Sequence, residues 1–466
     1  MSLKATPVVN DDRSGILLVP MTQNGLADWS TDQKSHVIRW LQSTAFTAEE
    51  GDFVLVPDQK GQLEKVLVGV GQSAFNSLGG LPRKLPPGDY RLSLEADLDW
   101  SDSEKYLALL GFLLGSYRFD HYRKSAGEDR LTLLVPDEST REALCRETTA
   151  VSLVRDLINT PTEDMMPEDL ASQSNRLAQE FDAEFSQVVG DALLSENYPM
   201  IHAVGRAAKS CPRLIELNWG SDKNPHVILV GKGVCFDTGG LNLKPSRGIR
   251  LMKKDMGGAA SVLGLASLIM ANALPVRLTV LIPAAENSVA GNSYRPGDVF
   301  ITRRGCSVEI DDTDAEGRLL LADALTYACE KSPDMILDFA TLTGAARVAL
   351  GTEIAAMFTN RDDLAAALAA AATQVADPVW RLPLYSPYQS LLKSQIADSG
   401  NSGDSPYAGA ITAALFLLRF IDKEIPWVHY DLMAWNVNAR PTGPIGGEAM
   451  AVRATYHFLQ QKYGRH

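Results

Sequence analysis

The sequence predicts two α/β domains, a smaller N-terminal one and a larger C-terminal one with a mixed, mostly parallel central sheet flanked by helices. Three observations carry this prediction. The chain has 466 residues, more than a single hydrophobic core usually organises. Short β-rich runs alternate with helical ones over most of the length, which is the pattern of an α/β protein. The run "HVILVG", residues 226–231, is apolar without alternation after its first residue, as expected of a strand covered on both faces.

In chain order, "GILLVP", "DFVLVP", "EKVLVGVG", "YRLSLE" and "RLTLLVP" read as strands, with helices expected near 31–43 and 102–118. "TREALCRETTAVSLVRDLINTP" reads as a long connecting helix that stops at Pro161. The predicted division therefore falls near residue 150, giving 1–150 and 151–466 with a linker helix at about 140–160. "MPEDLASQSNRLAQEF" starts the next helix, with Pro167 near its first turn. Beyond "HVILVG", the small-residue run "MGGAASVLGLASLIMANA" predicts a closely packed helix. "VRLTVLIP", "DVFITR", "CSVEI", "DMILDFA", "EIAAMFT" and "WVHYDLMAW" predict strands, and helices are expected near 317–331, 361–376, 407–421 and 448–462.

Composition narrows the functional classes. A net charge of −13 argues against nucleic-acid binding through a broad basic face. The apolar run "AITAALFLLRFI" is interrupted by Arg419 and is too short to span a bilayer, and "MSLKATPVVNDDRSG" lacks the apolar core of a secretory signal. The five cysteines, Cys145, Cys211, Cys235, Cys306 and Cys329, are scattered and form no CxxC pair. A disulfide framework or thiolate zinc site is therefore not expected. The expected setting is the reducing cytoplasm, with neither a membrane nor a nucleic acid as partner.

The chemistry is concentrated in the second region. "DDTDAEGRLL" crowds Asp311, Asp312, Asp314 and Glu316 into six residues ahead of an apolar helix. Isolated buried carboxylates are costly, so water or a cation must compensate them. If the chain stays extended there, Asp312, Asp314 and Glu316 point to one side; alternatively the acids simply cap the helix. "VGKGVCFDTGGLNLKP" places Lys232 and Asp237 in a glycine-rich loop directly after the buried strand, with Lys244 seven residues beyond Asp237, and "LMKKDMGGAA" adds Asp255 at a helix start. Loops at strand ends are where open α/β sheets hold ligands. Carboxylate oxygens suit Mg, Mn or Zn, and the four charges of Asp237, Asp255, Asp314 and Glu316 would balance two divalent ions. The seven histidines include no HExxH motif, which disfavours a histidine-based zinc peptidase.

Together, "VGKGVCFDTGGLNLKP", "MKKDMGGAA", "DTDAEGRLLLADAL" and "DFATLTGA" resemble the leucine aminopeptidase family of two-metal cytosol aminopeptidases. The likeness covers the second region from "RDLINTPTEDMMPEDL" onward, whereas the first domain matches only in pattern and length. The resemblance implies an aminopeptidase that uses two divalent ions, Mn or Zn, held by Lys232, Asp237, Asp255, Asp314 and Glu316. Lys232 would bind as a neutral amine. Lys244 would polarise the scissile carbonyl, and Arg318 would hold a bicarbonate that acts as base on a metal-bridging water. Met252, Thr341, Leu342 and Gly344 would line the substrate cleft, with the Leu342 carbonyl accepting from the peptide's amine region. Peptides with a free N-terminus would be the substrates, and the assembly would be a homohexamer. Two departures stand out. Asp312 occupies a position where the family usually has asparagine, and "LMAWNVNARPTGPIGGEAM" differs from the usual ending of a region that shapes the specificity pocket.

Three alternatives compete. A dipeptidase such as a Cys-Gly hydrolase would keep the metals and change the substrate. A non-catalytic scaffold with a retained site predicts a missing ligand, yet every candidate is present. A loose GxGxxA at Gly69, Gly71 and Ala74 suggests a nucleotide, but the following "NSLGGLPRKLPPG" makes a poor phosphate-binding helix.

Overall fold

The computed structural model describes residues 8–9, 15–96, 98–124, 131–403 and 405–464. The chain forms two compact units, Met1–Ser152 with Asn436–Ile445, and Leu153–Trp435 with Gly446–His466. The long helix expected over the connector is Glu138–Asn159.

The first unit contains strands β1 (Val8–Val9), β2 (Ile16–Met21), β3 (Phe53–Pro57), β4 (Leu63–Gly69), β5 (Gly88–Leu92) and β6 (Leu131–Leu134). They form one sheet in the order β1-β6-β5-β2-β4-β3. All neighbours are parallel except β3 and β4. The helix expected near 31–43 is two helices, Gln23–Thr31 and Ser35–Thr44. Thr22 accepts from the Gly25 amide to cap the first, so it starts well ahead of the apolar spacing that marks the second. Val19, Met21, Trp29, Val37, Leu41 and Leu67 share one core cluster beneath these helices.

The second unit adds β7 (Glu184–Val189), β8 (Arg213–Trp219), β9 (His226–Gly231), β10 (Gly233–Asp237), β11 (Arg277–Asn287), β12 (Val299–Ile301), β13 (Ser307–Glu309), β14 (Met335–Ala340), β15 (Ala355–Thr359), β16 (Val379–Arg381), β17 (Ser399–Gly400) and β18 (Trp427–Asp431). The large sheet runs β16-β15-β18-β14-β9-β11-β8-β7, with β10 also on β11. Its centre, β18-β14-β9-β11, is parallel. Val227, Ile228, Leu229 and Val230 are all 0% exposed, so both faces of β9 are covered. Ile228 and Val230 join Leu319, Leu321 and Leu325 of the helix Gly317–Glu330 in one cluster. The helix Gly257–Ala271 packs on β9 and β14.

Two local geometries differ from the sequence reading. The stretch read as a glycine-rich loop after β9 breaks only at Lys232 and resumes as β10, pairing with the second half of β11. Gly233 permits this, because a Cβ there would lie 2.9 Å from the Pro283 carbonyl. Residues 311–316 do not stay extended. Ala315 donates to the Asp312 carbonyl at 3.2 Å, closing a turn that leads into the helix.

Candidate active site

The site lies at the carboxyl ends of the central parallel strands. Lys232 follows β9, Asp237 ends β10, Asn287 ends β11, Thr341 follows β14 and Asp431 ends β18. In an open α/β sheet, diverging loops leave a crevice at this edge. Two helix starts aim further carboxylates into it. Asp255 lies in the tight turn Met252–Met256 just before Gly257–Ala271, and Glu316 directly precedes Gly317–Glu330. Gly258 makes the first approach possible. A Cβ on it would sit 2.0 Å from the Phe339 carbonyl oxygen and 2.8 Å from the Lys232 amide, both of them backbone atoms.

Asp237, Asp255 and Glu316 are buried, and each can place an oxygen so that all three lie within 4.8 Å of one another. The Lys232 ammonium stands 2.7 Å from Asp255 Oδ2 and 2.8 Å from Glu316 Oε1, and donates to the Thr341 carbonyl at 3.1 Å. Lys244 is 2.8 Å from Asp237 Oδ2 and also pairs with Asp314. Despite these charges, Asp255 Oδ2 and both Glu316 oxygens accept no hydrogen bond from the described residues. Asp255 Oδ2 and Glu316 Oε1 lie within ion-pair distance of Lys232 without a hydrogen bond from it. Buried carboxylate oxygens without donors are what a cation would satisfy, so the residues present fit a metal.

The electrostatics follow from burial and crowding. Burial, then Asp237, pushes the Asp314 carboxyl up to about 7. Burial, then Asp237, raises Glu316 well above the usual carboxylate range. Burial also opposes the charge on Asp237, but Lys244 and Lys232 outweigh it and hold that carboxyl low. Burial disfavours the Lys232 ammonium, yet Asp255 and then Glu316 reverse the balance and raise it. The protein alone therefore keeps Lys232 charged, and only added positive charge at the site could neutralise it.

A cavity of about 380 Å³ opens over this cluster. Lys232, Asp237, Lys244, Met252, Asp255 and Asp314 line it, with Arg318, Thr341, Leu342 and Gly344. Among the described residues, the structure thus brings every sequence-predicted site residue to one place, although Glu316 lies beneath the lining. Arg318 is buried. Its Nη1 donates to the Asn401 carbonyl at 2.7 Å, and its Nε has no partner among the described residues.

A model of the cytosol aminopeptidase family's catalytic domain matches residues 152–456, and a model of the M17 aminopeptidase N-terminal domain matches residues 16–136. The chain belongs to the cytosol aminopeptidase family. A probable cytosol aminopeptidase of Syntrophotalea carbinolica is 37% identical over 453 residues, covering 91% of each chain. The crystal structure of the cytosol aminopeptidase from Coxiella burnetii superposes with a TM-score of 0.94 at 47% identity, covering 98% of this chain and 99% of that one. The bottromycin maturation enzyme BotP in complex with Mn matches with a TM-score of 0.88 at 32% identity, covering 97% and 100%. Cytosol aminopeptidases are metal-dependent peptide hydrolases, so the acidic cluster has a ready account in the family.

Several residues that shape this aminopeptidase site carried no motif. Asn287 donates to Asp237 Oδ1 at 2.8 Å and to the Thr313 carbonyl at 3.0 Å, and Tyr294 donates to that carbonyl at 2.6 Å. Asp431 accepts from the Leu342 and Thr343 amides, each at 3.0 Å, and from the Thr343 hydroxyl at 2.6 Å, which orients the "TLTG" peptide units. Asn401 clamps the acidic turn from 90 residues away. Its Oδ1 accepts from the Asp311 and Asp312 amides at 2.8 and 3.2 Å, and its Nδ2 donates to the Asp312 and Ala315 carbonyls at 2.7 and 3.3 Å. Lys254, already visible in "LMKKDMGG", lines the cavity, and burial brings its ammonium down to about 8. Of the ending "LMAWNVNARPTGPIGGEAM", only Leu432 lines the cavity among the described residues. Asn436–Ile445 is counted with the first unit.

Proposed function

We propose that this chain is a two-metal aminopeptidase that removes N-terminal residues from peptides. Lys232, Asp237, Asp255, Asp314 and Glu316 would hold the two divalent ions, Mn or Zn. The observation that carries the reading is the gathering of these groups in one cavity with donor-free oxygens on Asp255 and Glu316. Bound ions would supply Lewis-acid polarisation and a water acidic enough to attack at neutral pH.

The chain's own residues do the rest. Lys232 gives up its proton as the site loads, so loading releases protons. The ammonium of Lys244 is held in the crevice by Asp237 and Asp314, where it is positioned to donate to a peptide carbonyl. Arg318 would hold a bicarbonate, which would supply the general base; its anchored Nη1 and an Nε without a partner among the described residues support this role. The Leu342 carbonyl, on a peptide plane fixed by Asp431, receives the substrate's amine region. Met252, Thr341 and Gly344 border the substrate. Asp312 Oδ1 accepts the Asp314 amide at 2.9 Å and so positions that ligand.

The same reading extends to domains dividing near residue 150, a homohexameric assembly and a cytoplasmic location. No helix among the described residues is long and apolar enough to cross a membrane. The test is turnover of leucine amide beside N-acetyl-leucine amide, before and after chelation and after Mn or Zn is returned. Cleavage of the free amide alone, abolished by the chelator and restored by metal, is expected. Equal cleavage of the capped amide, or full activity in stripped protein, would refute the reading.

A further inference from the structure

The cations around the cavity fall into two groups. Lys232 and Lys244 each stand against two carboxylates. Lys254 and Arg347 line the same cavity, and among the described residues no carboxylate lies within ion-pair distance of either. Lys254 is 2% exposed, yet no hydrogen bond reaches its ammonium from the described residues. Among the described residues, the guanidinium of Arg347 makes one hydrogen bond, Nη1 to the thioether of Met433 at 3.4 Å, a weak acceptor, and its Nη2 lies beside Gly344, where a Cβ would stand 3.2 Å away. Asp431 cannot serve either cation well, because its two oxygens already take three donors from Leu342 and Thr343. Asp255 and Asp431 favour the Lys254 charge only from beyond ion-pair distance, and burial outweighs them; a buried ammonium without a close carboxylate is costly, and the fold retains one where substrate must enter.

We propose that Lys254 and Arg347 form a carboxylate-binding subsite inside the catalytic cavity, one that takes a carboxylate of the peptide substrate. A guanidinium receives both carboxylate oxygens and the ammonium adds a point charge. The carboxylate can come from an aspartyl or glutamyl side chain at the substrate's N-terminus, or from the free C-terminus of a dipeptide. The proposal rests on the aminopeptidase reading and refines its specificity.

The experiment uses the full-length, metal-loaded protein and four substrates: glutamyl and leucyl p-nitroanilide, and leucylglycine and its C-terminal amide. Two ratios of kcat/KM are read, glutamyl over leucyl and free acid over amide. In Lys254→Met, whose side chain keeps the buried stem, and in Arg347→Met, one ratio is expected to fall roughly tenfold or more, the effect of losing one charge-assisted hydrogen bond. Lys254→Arg should recover part of it. The ratio that falls identifies the carboxylate's source. Calorimetric titration with glutamate, leucine and glycylglycine should show the same selective loss of binding without relying on turnover. If both ratios and all three affinities are unmoved in both Met variants, the subsite is refuted. If the wild-type protein cleaves none of the four substrates, the aminopeptidase reading fails and calorimetry alone decides the subsite.

Discussion

Replacing Asn401 by alanine should loosen the acidic turn and weaken metal binding, although Asn401 is not a candidate ligand. Its side chain makes four hydrogen bonds, two short at 2.7 and 2.8 Å and two longer at 3.2 and 3.3 Å, all to the backbone of residues 311–315. Asn401 is 0% exposed, so truncation leaves two amides and two carbonyls short of a partner. A net hydrogen bond contributes about 1 kcal/mol, and an orphaned buried group costs about 1–3 kcal/mol. Counting the two short bonds fully and the long ones at about half gives a loss of roughly 3 kcal/mol. For a large domain this corresponds to a fall in Tm of about 6 °C. The same turn carries Asp314 and leads into Glu316, so metal affinity should drop by roughly tenfold or more, as happens when groups that orient ligands are removed. Scanning calorimetry of metal-free protein and Mn titration of the same samples give the two readings. Asn401→Asp is the control: it keeps the acceptor and replaces the donor with an oxygen facing two carbonyls, so it should be no better than alanine. A Tm within about 1 °C of wild type, with unchanged Mn affinity, would show that the turn is held by other contacts.

Three further outcomes are expected. Asp312→Asn keeps an acceptor for the Asp314 amide, so it should retain metal and lose at most about tenfold in rate. Asp314→Asn should lose metal and nearly all activity, and the reverse ranking by metal analysis and turnover would put the ligand assignment out of register. Burial first, then Arg277 and Lys331, holds the His226 imidazole down at about 4, and it pairs neutrally with the Thr279 hydroxyl at 2.9 Å. Because its folded pKa lies below the ordinary 6.5, its contribution is complete above about pH 6.5 and fades as pH falls toward 4, by on the order of 2 kcal/mol. His226→Gln should therefore lose less Tm than wild type between pH 7 and pH 5, and an equal loss would refute the neutral, buried assignment.

The sequence by itself determined the α/β class, most strands of the larger sheet and the residues that gather at the cavity. These are local signals: apolar runs such as "HVILVG" must be buried on both faces, and carboxylates crowded in "DDTDAEG" beside lysines in glycine-rich loops have few other uses. The same signals could not resolve the break at Lys232 that lets β10 continue along β11, because the break depends on how closely Gly233 approaches Pro283. Nor could they expose the turn at 311–316, which an asparagine 90 residues away clamps shut. Asn287, Asp431 and Asn401 have no periodicity or spacing to mark them, since a lone asparagine or aspartate gains its role only when folding places it against a particular amide or carboxylate. Lys254 was in plain view within "LMKKDMGG", but a lysine in sequence is by default a solvated one. Only the packing of the Met252–Met256 turn removed water from it and left its charge, among the described residues, without a carboxylate at ion-pair distance beside the acidic cluster.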